Sequence, residues 1–336
     1  MDNRKTIVKL DNVKKWFPVK RSLKQLLKRE QNYIKAIDGV SLDIKEGEIF
    51  ALVGESGCGK TTTAKVVMKL YDPSHGKLFY AGDDVTFLKN KEEMLEYRRN
   101  VQMIFQDPYA SMNPRFKIRD VIEEPLIIHK VGKTREDREK MVADSLHEVR
   151  LSPAEDFMGR FPHMLSGGQR QRAATARTLV LSPKLVVADE PVSMIDLSTR
   201  AEILHMMKTV QKDLGLTYLY ITHDLSTARY FADRIAVMYL GRVVEMGTSD
   251  EVIMEPKHPY TKALIAAVCE PIAGKVNMVK EVPIKGEIPS AANVPSGCRF
   301  HPRCVYAKPE CSKVDPEEIE VSPGHKAACI LLKDQK

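Results

Sequence analysis

The sequence predicts an α/β fold built on a phosphate-loop core, and three observations carry that expectation. The first is Gly54-Glu55-Ser56-Gly57-Cys58-Gly59-Lys60-Thr61, set between the apolar run Ile49–Val53 and a helical pattern from Thr62 to Leu70. The second is Lys184–Glu190, an apolar run closing on two carboxylates. Strands buried on both faces read this way, and ligands gather at their carboxyl ends. The third is residues 117 to about 165, which keep helical spacing and no strand signal. They read as a helical subdomain set into the core.

The glycines of the loop let successive backbone N–H groups turn inward around phosphate oxygens. The helix that follows adds its positive dipole end. Gly54, Ser56, Gly57, Cys58, Gly59, Lys60, Thr61 and Thr62 are therefore the expected phosphate ligands. Lys60 reaches the β- and γ-phosphates, and the Thr61 hydroxyl suits Mg²⁺.

Upstream, short strands are expected at Thr6–Leu10, Ile37–Ile44 and from Ile49 onward. An insertion from Lys20 to Gln31 puts Leu23, Leu26 and Leu27 on one helical face. Trp16 and Phe17 precede it, and either ring could stack on a purine, with Phe17 the first choice. Downstream, Asp72–Lys77 reads as a turn and Lys77–Tyr80 as a strand. Met94–Arg99 reads as a helix start, and Val101–Phe105 as a strand ending at Gln106. A glutamine there can hold both a metal and a water with its amide.

Leu165-Ser166-Gly167-Gly168-Gln169 precedes a helix expected over Arg170–Leu181. Ser166 is placed as its N-cap, so this is a second helix start suited to an anion. Asp189 suits Mg²⁺, and Glu190 suits polarising an attacking water. Ser193–Asp196 is the loop after them, followed by an amphipathic helix over Ala201–Leu214. Thr217–Thr222 is a strand that delivers His223, a donor for a γ-phosphate. Arg234–Tyr239 and Arg242–Met246 are the last two strands of the core.

Bulk properties set the limits. The chain has 336 residues, is 43% apolar and carries a net charge of +7. Its denser basic stretch, Lys14–Arg29, reads as a solvated loop, with anionic lipid or nucleic acid as the alternative. Met1–Lys5 lacks the apolar core of a signal peptide, and no run approaches the ~18 apolar residues of a span. The expectation is a soluble intracellular protein that can dock on a membrane complex. Residues 284–336 are Pro- and Gly-rich with little regular pattern. They hold Cys298-x5-Cys304-x6-Cys311-x17-Cys329, clustered as a metal staple would require. Four thiolates can hold [4Fe–4S] or Zn²⁺, though the close C-x₂₋₄-C pairs usual for zinc are absent. Cys58 and Cys269 read as small buried residues.

Taken in order, residues 6 to about 250 resemble the nucleotide-binding subunit of an ABC transporter. Gly54–Thr61 resembles its Walker A loop, Gln106 its Q-loop glutamine and Leu165–Gln169 its signature. Leu185–Glu190 resembles Walker B with the catalytic glutamate, Ser193–Asp196 the D-loop and His223 the switch histidine. Gln106–Arg115 and His258–Leu264 further resemble the oligopeptide/dipeptide importers. Two departures keep the chemistry: Met194-Ile195 replaces the usual Ala-Leu, and Thr61 the commoner Ser.

The resemblance implies a RecA-like ABC ATPase core with an antiparallel β subdomain, a helical subdomain and a cysteine-rich extension. The implied division is 1–95 for the β subdomain and first part of the core, 96–170 for the helical subdomain, 171–255 for the rest of the core and 256–336 for the extension. It implies ATP and Mg²⁺, with Thr61, Gln106 and Asp189 on the metal. Gln106, Glu190 and His223 would be catalytic. Ser166, Gly168, Gln169 and Asp196 would serve ATP across a head-to-tail dimer. Implied partners are a second, usually different, ATPase subunit, two transmembrane permease subunits and an extracytoplasmic solute-binding protein, with the chain peripheral at the cytoplasmic face of the membrane. The tail resembles the iron–sulfur motif of the dipeptide-importer ATPases, which implies a [4Fe–4S] cluster on Cys298, Cys304, Cys311 and Cys329. Peptide is the first expected cargo, with nickel or oligosaccharide carried by relatives. Soluble ABC ATPases that act on nucleic acid or ribosomes usually hold two ATPase units, whereas each motif occurs once here, so no nucleic-acid partner is expected. A redox-sensing module is the remaining reading of the cysteines.

Overall fold

A computed structural model describes residues 4–19, 31–267 and 283–335. The helical face at Leu23, Leu26 and Leu27, and Cys269, lie outside the described residues. In chain order the first half holds β1 (Thr6–Pro18), β2 (Tyr33–Lys45), β3 (Ile49–Val53), α1 (Lys60–Val67), β4 (His75–Tyr80), β5 (Asp83–Asp84), α2 (Lys91–Asn100), β6 (Val101–Ile104), α3 (Ile118–Ile128), α4 (Arg135–Glu148) and α5 (Glu155–Met158). The second half holds α6 (Gly167–Leu179), β7 (Leu185–Asp189), α7 (Leu197–Leu214), β8 (Thr217–Thr222), α8 (Leu225–Phe231), β9 (Arg234–Tyr239), β10 (Arg242–Thr248), α9 (Ser249–Met254), α10 (Pro259–Ala267), β11 (Ile319–Ser322) and β12 (His325–Ala327). No helix among the described residues is long and apolar enough to cross a membrane.

Two compact units divide the chain. One takes Met1–Ile7, Ile44–Ile49 and Phe87–Ile221. Its strands are parallel in the order β6-β7-β8, with Leu185 opposite both Val101 and Thr217. Every residue of β7 and β8 is buried, as expected for strands covered on both faces. Helices α3, α4 and α6 pack against one another. Thr134 and Asp137 close a capping box on α4, which sets where that helix starts. Arg170 joins the pieces. Its guanidinium lies 3.9 Å over the Tyr109 ring and donates to the carbonyls of Pro162 (2.6 Å) and Leu165 (2.8 Å).

The other unit takes Val8–Asp43, Phe50–Thr86 and Thr222–Lys336. It holds a sheet in the order β2-β1-β4-β5, antiparallel at β1–β4 and β4–β5, and strands in the order β11-β12-β10-β9-β3. In the second set only β3 and β9 run parallel. The tail, read as having little regular pattern, holds two short strands among the described residues: β12 pairs antiparallel with β10, Glu245 opposite Ala327. A three-residue strand carrying His and Lys has no pattern of its own; it exists because β10 offers an edge.

Several boundaries differ from expectation. Helix α2 starts at Lys91 rather than Met94, because the Asn90 side chain caps it. Helix α6 starts at Gly167 rather than Arg170, so both glycines lie inside its first turn. Helix α7 starts at Leu197 rather than Ala201, capped by Asp196. Strand β4 begins at His75, inside the stretch read as a turn. Strand β1 runs on to Pro18 and carries Trp16 and Phe17 within it.

A buried polar knot ties β10 to α10 and the tail. The Glu245 carboxylate accepts the N–H groups of Lys257 (2.8 Å) and His258 (2.9 Å) and lies 2.8 Å from His325 Nε2. His258 Nδ1 accepts the Tyr260 N–H at 3.0 Å. Burial pushes the His258 imidazole down to about 4. Its folded pKa is depressed, so its stabilisation is full above the unfolded value near 6.5 and is lost as pH falls toward 4. Urea unfolding at pH 7 and pH 5 should show about 2 kcal/mol more loss for the native chain than for His258→Gln. An equal loss in both would overturn the assignment.

Candidate functional site

In the second unit, the phosphate loop is shaped by backbone that leaves no room for side chains. Gly54 has φ 155° and Gly59 has φ 113°. A Cβ on Gly54 would lie 2.3 Å from the Met238 carbonyl oxygen, and one on Gly59 2.3 Å from that of Ala36. Only glycine fits both positions. Ser56 and Gly57 are exposed at the tip, while Cys58 is buried. Burial pushes the Cys58 thiol up, which leaves it neutral in the loop. Lys60 is buried and its ammonium donates to the carbonyls of Gly54 (2.6 Å) and Glu55 (3.0 Å). Thr61, second in α1, is exposed, with Thr62 half-buried beside it and the Thr63 hydroxyl tied to the Gly59 carbonyl at 3.0 Å.

The same unit holds the two aromatic candidates. Trp16 donates its indole N–H to Asp38 (3.0 Å), and its ring meets His75 edge-on at 5.3 Å. Phe17 meets Tyr71 edge-on at 5.4 Å and lies under the Lys15 ammonium. Both are half-buried. His223 follows β8, exposed, at the start of α8, which Asp224 caps.

In the first unit, Asp189 ends β7 buried and Glu190 follows it. Glu190 has φ 46°, a left-handed backbone unusual for a residue with a Cβ. Its N–H donates to the Ile221 carbonyl (2.9 Å), and its carbonyl accepts the N–H (3.1 Å) and hydroxyl (3.0 Å) of Ser193. These bonds hold the turn that aims the carboxylate. The Gln106 amide donates to Glu190 Oε2 at 3.1 Å, so the Q-loop candidate and the base candidate already touch.

Ser166 caps α6 reciprocally with Gln169, at 3.2 and 3.1 Å. A Cβ on Gly168 would lie 2.6 Å from Thr199 Cγ2, so the starts of α6 and α7 abut. Asp196 caps α7, and the Ser198 hydroxyl with the Thr199 N–H hold its carboxyl down to about 2. Arg200 donates to the carbonyls of Ile195 (2.8 Å) and Ser193 (3.3 Å), fixing the loop between the two. Met164, Met194 and Leu197 stand 56%, 58% and 81% exposed around these starts. Arg170 and Arg200 were not foreseen; their partners are backbone carbonyls, which leave no mark in a sequence.

Cys298, Cys304, Cys311 and Cys329 line one small pocket in the second unit, and none of them is in a disulfide. Burial pushes Cys298 up to about 11, and its three companions add to the shift. Burial likewise raises Cys304 and Cys329. Thiolates so placed need a positive core to form. Among the described residues no three of His, Cys, Asp and Glu surround one metal-ion position. The pocket the four thiols share with His258, Phe300 and His301 encloses about 10 Å³, so a cluster requires them to part.

Comparison with known proteins gives the family. The ABC transporter model matches residues 37–193, and the model of the oligopeptide/dipeptide transporter C-terminal region matches 244–311. The oligopeptide transport ATP-binding protein AppF of Bacillus subtilis is 45% identical over 98% of each chain. The dipeptide transport ATP-binding protein DppF of Haemophilus influenzae is 44% identical over 95% of each. OppF of Salmonella typhimurium, also an oligopeptide transport ATP-binding protein, is 41% identical over 99% of this chain and 98% of its own. Among solved structures, the dimeric ATP-binding cassette MJ0796, bound to ADP and Pi, matches with a TM-score of 0.62 and 31% identity over 72% of this chain and 99% of that one. The fold here is that of an ABC ATPase. The chain belongs to the ABC transporter ATP-binding family, in the branch that carries the oligopeptide/dipeptide C-terminal region.

Proposed function

We infer that this chain is the ATP-hydrolysing subunit of an ABC importer for oligopeptides or dipeptides. The observation that carries the reading is identity of 41–45% to named peptide-transport ATP-binding proteins over nearly the whole chain. The chain works at the cytoplasmic face of the membrane as a peripheral subunit. Its partners are a second ATP-binding subunit, two permease subunits and a solute-binding protein.

Each residue then has a task. The amides of the phosphate loop and Lys60 bind the β- and γ-phosphates. Thr61, Asp189 and Gln106 offer hard oxygen donors of the kind Mg²⁺ takes, and would hold it to shield phosphate charge. Glu190 accepts the proton of the attacking water, and His223 steadies the γ-phosphate. Phe17 or Trp16 stacks on the base. Ser166, Gly168 and Gln169, with Asp196, serve the ATP of the partner ATPase subunit. The abutting helix starts and the exposed Met164, Met194 and Leu197 support that role, since a face of this kind is built to be covered.

For the tail we propose a [4Fe–4S] cluster on Cys298, Cys304, Cys311 and Cys329, the thiols parting to admit it. Four free thiols around one pocket support the reading. Anaerobically purified chain should contain about four iron atoms; iron-free, colourless protein would sink the proposal.

Transport is tested by reconstituting the chain with its permease, partner ATPase and binding protein in vesicles. ATP-dependent accumulation of a labelled oligopeptide is expected. Accumulation of nickel or an oligosaccharide instead would overturn the cargo and keep the ATPase.

A further inference from the structure

An acid in a phosphate-binding loop is a problem in charge. Glu55 lies one residue past Gly54, among the amides that receive a phosphate, and its carboxylate would repel one. The structure answers it from 248 residues away. Arg303 donates both guanidinium ends to Glu55, at 2.6 and 3.0 Å. The fork is planar and bidentate, the geometry that fixes a carboxylate most firmly. The Arg303 side chain is only 7% exposed and that of Glu55 25%. Glu55 is held from its backbone as well: its N–H donates to the Tyr260 hydroxyl at 3.0 Å.

Arg303 is itself held by its backbone turn. It sits in the tight turn between Cys298 and Cys304, where its N–H and that of Cys304 both donate to the Phe300 carbonyl at 3.0 Å. Phe300 is buried against Tyr239 and Tyr260. At the other end of the turn, Arg299 pairs with Asp38, the residue that also receives the Trp16 indole N–H. The two arginines therefore reach the phosphate side and the candidate base side of the same unit.

We propose that Arg303 is a positioning residue for nucleotide binding: it cancels and pins the Glu55 charge so that the phosphate loop accepts ATP. The inference rests on the ATP-binding reading above. It is tested on the purified full-length chain by titrating a fluorescent ATP analogue. Arg303→Met, which leaves the acid uncancelled, should weaken binding about tenfold. Arg303→Lys should fall between the two, because it keeps the charge and loses the fork. The decisive variant is Arg303→Met with Glu55→Gln. Removing the acid should restore affinity to within about threefold of the native chain, a rescue that a purely structural loss would not give. A native-like Kd for Arg303→Met, or a double variant no tighter than the single, would overturn the proposal. Should Arg303→Met fail to fold, Arg303→Lys against Arg303→Lys/Glu55→Gln reads the same rescue. A native chain that binds no ATP would defeat the functional reading instead.

Discussion

Glu190→Gln should abolish turnover and spare ATP binding. Glutamine keeps the size of the side chain and cannot take a proton. A positioned general base contributes about 10²–10⁴-fold, so phosphate release should fall by that factor. Affinity for ATP should stay within about twofold, because the proposed roles give the phosphates to the loop amides and Lys60 and only the attacking water to Glu190. The left-handed backbone at Glu190 is fixed by Ile221 and Ser193, not by the carboxylate, so the turn survives the change. Single-turnover phosphate release and equilibrium ATP binding on the same preparation separate the two quantities. Undiminished release would remove Glu190 from the chemistry.

Gly168→Val should be nearly as damaging, by a different route. The added Cβ would lie 2.6 Å from Thr199 Cγ2. The start of α6 must then move away from α7, and the amides proposed to serve a neighbour's nucleotide move with it. Losing a preorganised set of donors costs about 10²-fold in rate. Ser166→Ala is the contrast: it removes one cap, worth about 1 kcal/mol, and leaves room unchanged. Both variants should bind ATP as the native chain does. If Gly168→Val hydrolyses ATP at the native rate, the signature assignment fails. Specific activity of the native chain should also fall on dilution if, as proposed, each signature serves a partner's ATP.

What could be read from the sequence was whatever is local. Strands β3, β7 and β8 announce themselves because buried parallel strands are unbroken apolar runs. Ser166 was legible as a cap because its partner Gln169 is three residues on. The start of α6 was misplaced because two glycines favour no helix; they are helical here since the cap and the contact with Thr199 hold them. The site was legible as motifs but not as geometry. Nothing in the sequence says that Gln106 touches Glu190, or that Arg170 stacks on Tyr109, because those pairs depend on which strands and loops become neighbours. The tail was least legible. Strand β12 is defined by an edge contributed by residues some eighty positions earlier, as its Glu245–His325 contact measures.

The fork from Arg303 to Glu55 also has a consequence in time. A chain is made from its N-terminus, and domains begin to fold as they emerge. The phosphate loop is among the first parts out, yet the contact that neutralises it closes a span of 248 residues. The link from Arg299 to Asp38 closes 261. Until the ribosome has delivered the last portion of the chain, the loop carries an uncancelled acid. On the proposal above, a subunit truncated before Arg303 should therefore bind ATP about tenfold more weakly than the full chain.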